Sequence, residues 1–280
     1  MQHVEFFHQE HFERNYFREK ASADLSRFID YFWEINFEHL YKEYPEGFSD
    51  ALFPNIGYTY LINLGTPFIM QLDDDKFEVK NDSFLPRHRN IICHHSAGNK
   101  IFGIKFKVSP VILQKNINFS EYKDYIFPLA YLIDRPIIEQ IKKVQHFNRR
   151  VEIISDYYQQ IIDQHAGSLK YVDTVIAILN ECYNNNDFTT SIEEFAKRYN
   201  ISTRTLQRYF EKVTSISSKQ ALQIVRIRKA VEHLLSDPKK FDYRNYGYYD
   251  HSHFYKHLKQ FITGHTISLI EPHLKLLKRK

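Results

Sequence analysis

The alternation of apolar and polar positions divides the chain into two kinds of text. Between residues 31 and 108, short runs rich in β-branched and aromatic residues (58–64, YTYLINL; 68–72, FIMQL; 101–108, IFGIKFKV) alternate with turn formers. These are Gly65-Thr66-Pro67, Asp73-Asp74-Asp75, Asn81-Asp82 and Gly98-Asn99. Strands of this length at this spacing predict a small antiparallel sandwich or barrel. In 101–108, Phe102, Ile104, Phe106 and Val108 share one parity, while Ile101, Gly103, Lys105 and Lys107 share the other. That pattern predicts a strand with one buried face.

From residue 109 onward the period lengthens. Ile137, Ile141, Val144, Val151, Ile154, Tyr158 and Ile161 step by three, four or seven and predict one long helix over 136–165. Pro136 suits its first turn and Gly167 its stop. The stripe has two readings, packing on the chain's own sheet or pairing with a second copy; its near-heptad spacing fits the second. A further helix over 169–183 presents Val172, Val175, Ile176 and Leu179, and 184–187 (NNND) breaks it.

Residues 190–213 read TSIEEFAKRYNISTRTLQRYFEKV. Ser191 with Glu194 forms a capping box, and Ile192, Phe195, Ala196 and Tyr199 give a short helix its buried face. Asn200 stands where the turn needs a left-handed residue, and Ile201 plugs the turn. Ser202 caps a second helix with Leu206, Phe210 and Val213 inside. This is the helix-turn-helix plan. The outer face of the second helix carries Thr203, Arg204, Gln207, Arg208 and Lys212. Arg and Gln read guanine and adenine edges bidentately, although a solvated face carries the same residue types.

Composition sharpens this picture. At ~150 residues per domain, 280 residues suggest about two domains. Aromatic residues make up 16% of the chain, which excludes disorder. Residues 168–280 hold 19 Lys+Arg against 11 Asp+Glu, while the remainder holds 19 against 23. A basic C-terminal third behind an acidic N-terminal part fits a polyanion-binding module, or ordinary variation in surface charge. Only Cys93 and Cys182 occur, which excludes a disulfide framework and a four-Cys zinc site. No apolar run approaches the ~18 residues of a membrane helix, and the first twenty residues lack an apolar core. A cytoplasmic protein with no membrane partner is expected.

The segment 200–217, NISTRTLQRYFEKVTSIS, resembles the first helix-turn-helix of the arabinose-regulator (AraC/XylS) family of transcription factors. Residues 217–235 resemble that family's linker helix, with Arg226, Arg228, Ala230, Leu234 and Leu235 in place. Gly247-Tyr-Tyr-Asp-His-Ser-His-Phe254 resembles the start of its second recognition helix, and Thr263-Gly264 the turn that follows. Residues 52–65 and 102–107 resemble more loosely the cupin-like β-rich domain of one group of these regulators.

The resemblance implies an α+β multidomain fold. A β-rich sensing or dimerisation domain with C-terminal helices would span 1–167. An all-α domain with two helix-turn-helix units would span 168–280. It implies a homodimeric, sequence-specific transcriptional regulator acting on double-stranded promoter DNA, with RNA polymerase as partner of an activator. A small-molecule effector is left open, with no residue assigned to it, and no cofactor is implied. Arg204, Gln207 and Arg208 match the base-contacting face of the first recognition helix, and His251, Ser252, Tyr255 and Lys256 that of the second. Helix N-termini such as Ser202, with scattered Lys and Arg, would hold phosphates.

The sequence also departs from the family pattern. Only eleven residues separate Leu235 from Gly247, and Asp242-Tyr243 replaces the usual Ile-Ala. Ser215 and Ser218 stand for Gly and Pro, Leu258 for Phe, and Ile267 for Pro. These departures motivate an alternative, a protein-interaction or small-molecule-binding protein with a decayed second unit.

Other candidates point elsewhere. His88, Cys93, His94 and His95 invite a metal reading, but adjacent His94 and His95 face opposite sides of a strand, so no metal is expected. His251 and His253 are likewise read without metal. Asp73-Asp-Asp75 reads as a hairpin turn, lacking the glycine and glutamate of a calcium loop. No phosphate-cradling glycine loop or nucleophile motif appears, so the chain is not expected to be an enzyme. Tyr31, Phe32, Trp33, Tyr58 and Tyr60 fit either an aromatic ligand pocket or a sheet core.

Overall fold

A computed structural model describes residues 1–8, 12, 16–22, 24–115, 117–185, 188–262 and 266–268. The predicted turn at Thr263-Gly264 and the end of the 184–187 break lie outside the described residues.

Among the described residues the N-terminal region holds eleven strands: β1 (Gln2–Val4), β2 (Tyr16–Lys20), β3 (Ile29–Asn36), β4 (Ser49–Leu52), β5 (Tyr58–Asn63), β6 (Phe68–Leu72), β7 (Asp75–Val79), β8 (Ser83–Pro86), β9 (Ile91–His94), β10 (Lys100–Phe106) and β11 (Phe127–Pro128). They form a five-stranded sheet in the order β1-β4-β9-β6-β7 and a six-stranded sheet in the order β11-β8-β5-β10-β3-β2. All pairings are antiparallel except β1 with β4. The sandwich matches expectation but begins earlier. The three-residue β1 and the exposed edge strand β2 are too short or too polar to show as apolar alternation.

Nine helices complete the described residues: α1 (Glu38–Glu43), α2 (Val111–Gln114), α3 (Arg135–Lys143), α4 (Phe147–Asp163), α5 (Lys170–Asn185), α6 (Ile192–Arg198), α7 (Thr203–Thr214), α8 (Ser218–Ser236) and α9 (His251–Phe261).

Two cores lie on either side of the six-stranded sheet. Ile35, Leu61, Leu85 and Ile101 meet Phe68, Met70, Leu72 and Ile91 of the smaller sheet. Phe32, Tyr58, Tyr60, Phe102, Ile104 and Phe106 belong to a second core that runs without interruption into the C-terminal helices. β10 is therefore buried on both faces, which corrects the one-faced reading. Its second parity is covered by tertiary packing. The Trp33 indole lies over Gly103 and leaves no room for a Cβ there. The Lys105 ammonium donates inward to the carbonyls of Ile56 and Phe106. Tyr58 and Tyr60 serve this core, their hydroxyls donating to Phe119 O (2.8 Å) and Ser109 Oγ (2.6 Å).

The long helix expected over 136–165 is two helices, broken at 144–146. The Arg150 guanidinium is the reason. It donates to the carbonyls of Ile141, Val144 and Gln145, satisfying acceptors at the end of α3. The same group reaches Glu34 of β3 at 2.7 Å; both side chains are buried, and Lys100 adds a second cation at 2.9 Å. The apolar stripe of α4, Val151, Ile154, Tyr158 and Ile161, is buried within the chain.

Candidate nucleic-acid interface

The first helical pair is built from local rules. Ser191 Oγ accepts from Glu194 N (3.1 Å), and the Glu194 carboxylate accepts from Ser191 N (2.7 Å), closing the capping box of α6. The chain then turns through Asn200 at φ 52°, and Ile201 N donates back to Ala196 O (3.0 Å). Ser202 Oγ accepts from Thr205 N (3.1 Å) and starts α7. Phe195 and Ala196 meet Leu206, Phe210 and Val213 inside. Ser215 ends α7 in the left-handed region, φ 70°, where glycine is the least strained residue.

That scaffold leaves Ser202, Thr203, Arg204 and Arg208 exposed together. Among the described residues neither Arg204 nor Arg208 has an ion-pair partner. Gln207 is placed differently. Its amide donates to Glu211 (2.6 Å), and its oxygen accepts from the backbone and hydroxyl of Ser218 (3.2 and 3.0 Å), tying α7 to the start of α8. Lys212 is half-buried with its ammonium 4.8 Å from the Tyr171 ring centre.

α8 links this pair to the next and joins both to the sheets. Arg228 donates to Phe53 O (3.1 Å), Pro54 O (3.0 Å) and Glu5 (3.0 Å). Glu5 also accepts from Arg87 at 3.2 Å. Burial alone would raise the Glu5 pKa, but the two guanidiniums outweigh it and hold the carboxyl below its usual range. Sequence reasoning placed Arg228 in the linker helix and gave no role to Glu5; no local pattern joins residues so far apart.

The second pair is abbreviated. Where a first helix is expected, a single 3-10 turn stands at Tyr243–Tyr246, capped by Asp242, and Gly247 follows at φ 72°. Once α8 has run to Ser236, too few residues remain for a helix and two turns. Aromatic rings fill the space: Tyr246 stacks on Phe241 (5.9 Å), and its hydroxyl meets His233 Nδ1 (2.8 Å). Asp250 accepts from His253 N (2.7 Å) and starts α9, which buries Phe254, His257, Leu258 and Phe261. Tyr248 is buried with its hydroxyl 2.6 Å from His257 Nδ1. Burial, with Arg226 and His253 nearby, pushes the His257 pKa down to about 4.

Ser252 and Lys256 are exposed on α9. His251 and Tyr255 are half-buried with near-parallel rings 6.0 Å apart, and the Lys259 ammonium lies 4.7 Å from the Tyr255 ring centre. His94 and His95 fall on opposite faces of their strand end. His95 is buried against Phe37 and bonded to Asn99 (2.8 Å), and burial takes its pKa down to about 3. No helix among the described residues is long and apolar enough to cross a membrane.

Residues 195–268 match a family model described as a helix-turn-helix domain. Among solved structures, the chain is similar to ToxT from Vibrio cholerae in its P21 form, at 10% identity and TM-score 0.42, covering 88% of this chain and 93% of that one. It is similar also to unsaturated fatty acid-bound wild-type ToxT from the same organism, at 12% identity and TM-score 0.41, covering 88% and 90%. The AraC-like transcriptional activator CuxR aligns at 10% identity and TM-score 0.27, covering 80% and 89%. No curated protein sequence matches the chain. Behind its β-rich N-terminal region, the chain carries a helix-turn-helix domain at residues 195–268.

Proposed function

We propose that the chain is a sequence-specific transcriptional regulator that binds promoter DNA. The observation that carries this reading is the outer face of α7. Two guanidiniums without an ion-pair partner among the described residues, Arg204 and Arg208, stand exposed beside the helix start at Ser202 and Thr203. Such a face supplies both phosphate-holding and guanine-reading groups. Gln207 is a weaker candidate, because its amide is already bonded on both sides. On α9, Ser252 and Lys256 are the free groups, and His251 and Tyr255 form a stacked edge beside them.

In this reading residues 168–280 are the DNA-binding domain and 1–167 the sensing or dimerisation domain. The regulator works in the cytoplasm as a homodimer, performs no catalysis, and contacts RNA polymerase if it activates. The α4 stripe is buried within the chain, which leaves it no face for pairing with a second copy. A small-molecule effector would act by binding one arrangement of the two regions better than another. A cleft of about 540 Å³, lined by His88 and Asn90 from the loop between β8 and β9 and by Ser217, Gln220 and Gln223 at the start of α8, lies at that junction.

The test is binding to the chain's own upstream DNA and to a scrambled duplex at two salt concentrations. Preference for the upstream duplex supports the reading. Absence of binding at low salt favours the second reading, an interaction protein with a decayed second unit. The reduction of that unit's first helix to one 3-10 turn motivates it.

A further inference from the structure

Tyr249 is 88% exposed, the most exposed large apolar side chain among the described residues. Its neighbours on both sides are fixed. Tyr248 is buried against Phe254 and His257, and Asp250 caps α9. The Tyr249 backbone N–H donates to His253 Nδ1 at 3.4 Å. The chain thus holds a bare phenol ring at the leading edge of a recognition helix, with no protein partner for the ring among the described residues.

The groups around it narrow what the ring can meet. The exposed positions of α9 are Ser252, His253, Lys256, Lys259 and Gln260, which carry cations and no carboxylate. This face therefore complements a polyanion. It offers no arginine, and Arg244 in the preceding turn is held by Asp242. Guanine reading by a guanidinium fork, available on α7, is missing here. The Asp250 carboxylate follows Tyr249 directly and disfavours a phosphate beside the phenol hydroxyl. What remains for an exposed ring at a major-groove helix start is apolar contact, and thymine is the base that offers a methyl group there.

We propose that Tyr249 is a specificity residue that packs its ring on a thymine methyl, so that α9 selects an A·T-containing half-site while α7 selects guanines. The proposal rests on the regulator reading above. It assigns to the shortened second unit a base preference carried by an aromatic ring.

The experiment selects duplexes from a randomised library with the full chain. Each thymine of the selected site is then replaced by uracil, which removes only the methyl. Losing one buried methyl is worth about 0.8 kcal/mol, or about fourfold in affinity. About fourfold weakening is expected at a thymine of the α9 half-site. Tyr249→Ala should abolish that dependence, and Tyr249→Phe should keep it. The ring is exposed, so an unchanged Tm is expected for both variants. Uracil insensitivity throughout the site would overturn the proposal. So would a loss in Tyr249→Phe equal to that in Tyr249→Ala, which would mark a hydroxyl contact. Failure to enrich any duplex would overturn the regulator reading itself, and that result is visible before any uracil is introduced.

Discussion

The two helical units solve one problem with different means. The first is specified by neighbours in sequence: a capping box at Ser191 and Glu194, a left-handed Asn200, and a cap at Ser202. The second has one 3-10 turn in place of a helix and is held by Tyr246, Phe241, His233, Tyr248 and His257. A unit that keeps its local signals can devote its outer face to recognition. A unit that has lost a helix must spend side chains on staying assembled. The exposed chemistry follows: free arginines on α7, and tyrosine, histidine and lysine on α9.

The heaviest break in this comparison is Phe210→Ala. Phe210 belongs to the core shared with the six-stranded sheet. The substitution should cost about 3–5 kcal/mol, read from the urea midpoint, and both regions should unfold in one transition. Separate transitions would show that the shared core does not couple them.

Recognition comes next. Arg208→Ala should cost about 1–3 kcal/mol on a selected duplex and much less on a scrambled one. Lys256→Ala should weaken both duplexes alike and lower the salt slope by about one. Equal losses for Arg208→Ala on both duplexes would make it a phosphate contact.

Ser191→Ala removes one half of the capping box and should cost about 1 kcal/mol. Thermal unfolding of the full chain measures it, and an unchanged Tm would deny the first unit its local origin.

The remaining effect concerns pH and belongs to the second unit. His257 is pushed down to about 4 from an ordinary value near 6.5, so the unfolded chain binds its proton first. The stability it supports is present above about pH 6.5 and is lost as pH falls toward 4. Protection factors of the α9 amides, which correct for the slower intrinsic exchange in acid, should therefore fall at pH 5 relative to pH 7, while those of α6 and α7, which contain no histidine, change less. Replacing His257 with Gln should flatten that difference.

Much of the interface was legible because it is local. Ser191, Asn200 and Ser202 act within four residues, and each lies where capping and turn chemistry place it. The sheets were legible where both faces alternate, and β2 was missed because an exposed polar edge carries no apolar signal. The break between α3 and α4 was hidden, since the helical period runs through it and the cause is the Arg150 side chain. The engagement of Gln207 was hidden for a similar reason. Its partner Ser218 is eleven residues away, across a turn.

The Arg150–Glu34 pair also bears on the order in which the chain folds. Its members are 116 residues apart, so their contact closes a long loop and forms late relative to helix growth. Local carbonyls of Ile141, Val144 and Gln145 take part of the guanidinium, and Glu34 of β3 supplies its counter-charge. The boundary between α3 and α4 is therefore a tertiary feature, set by a strand more than a hundred residues away.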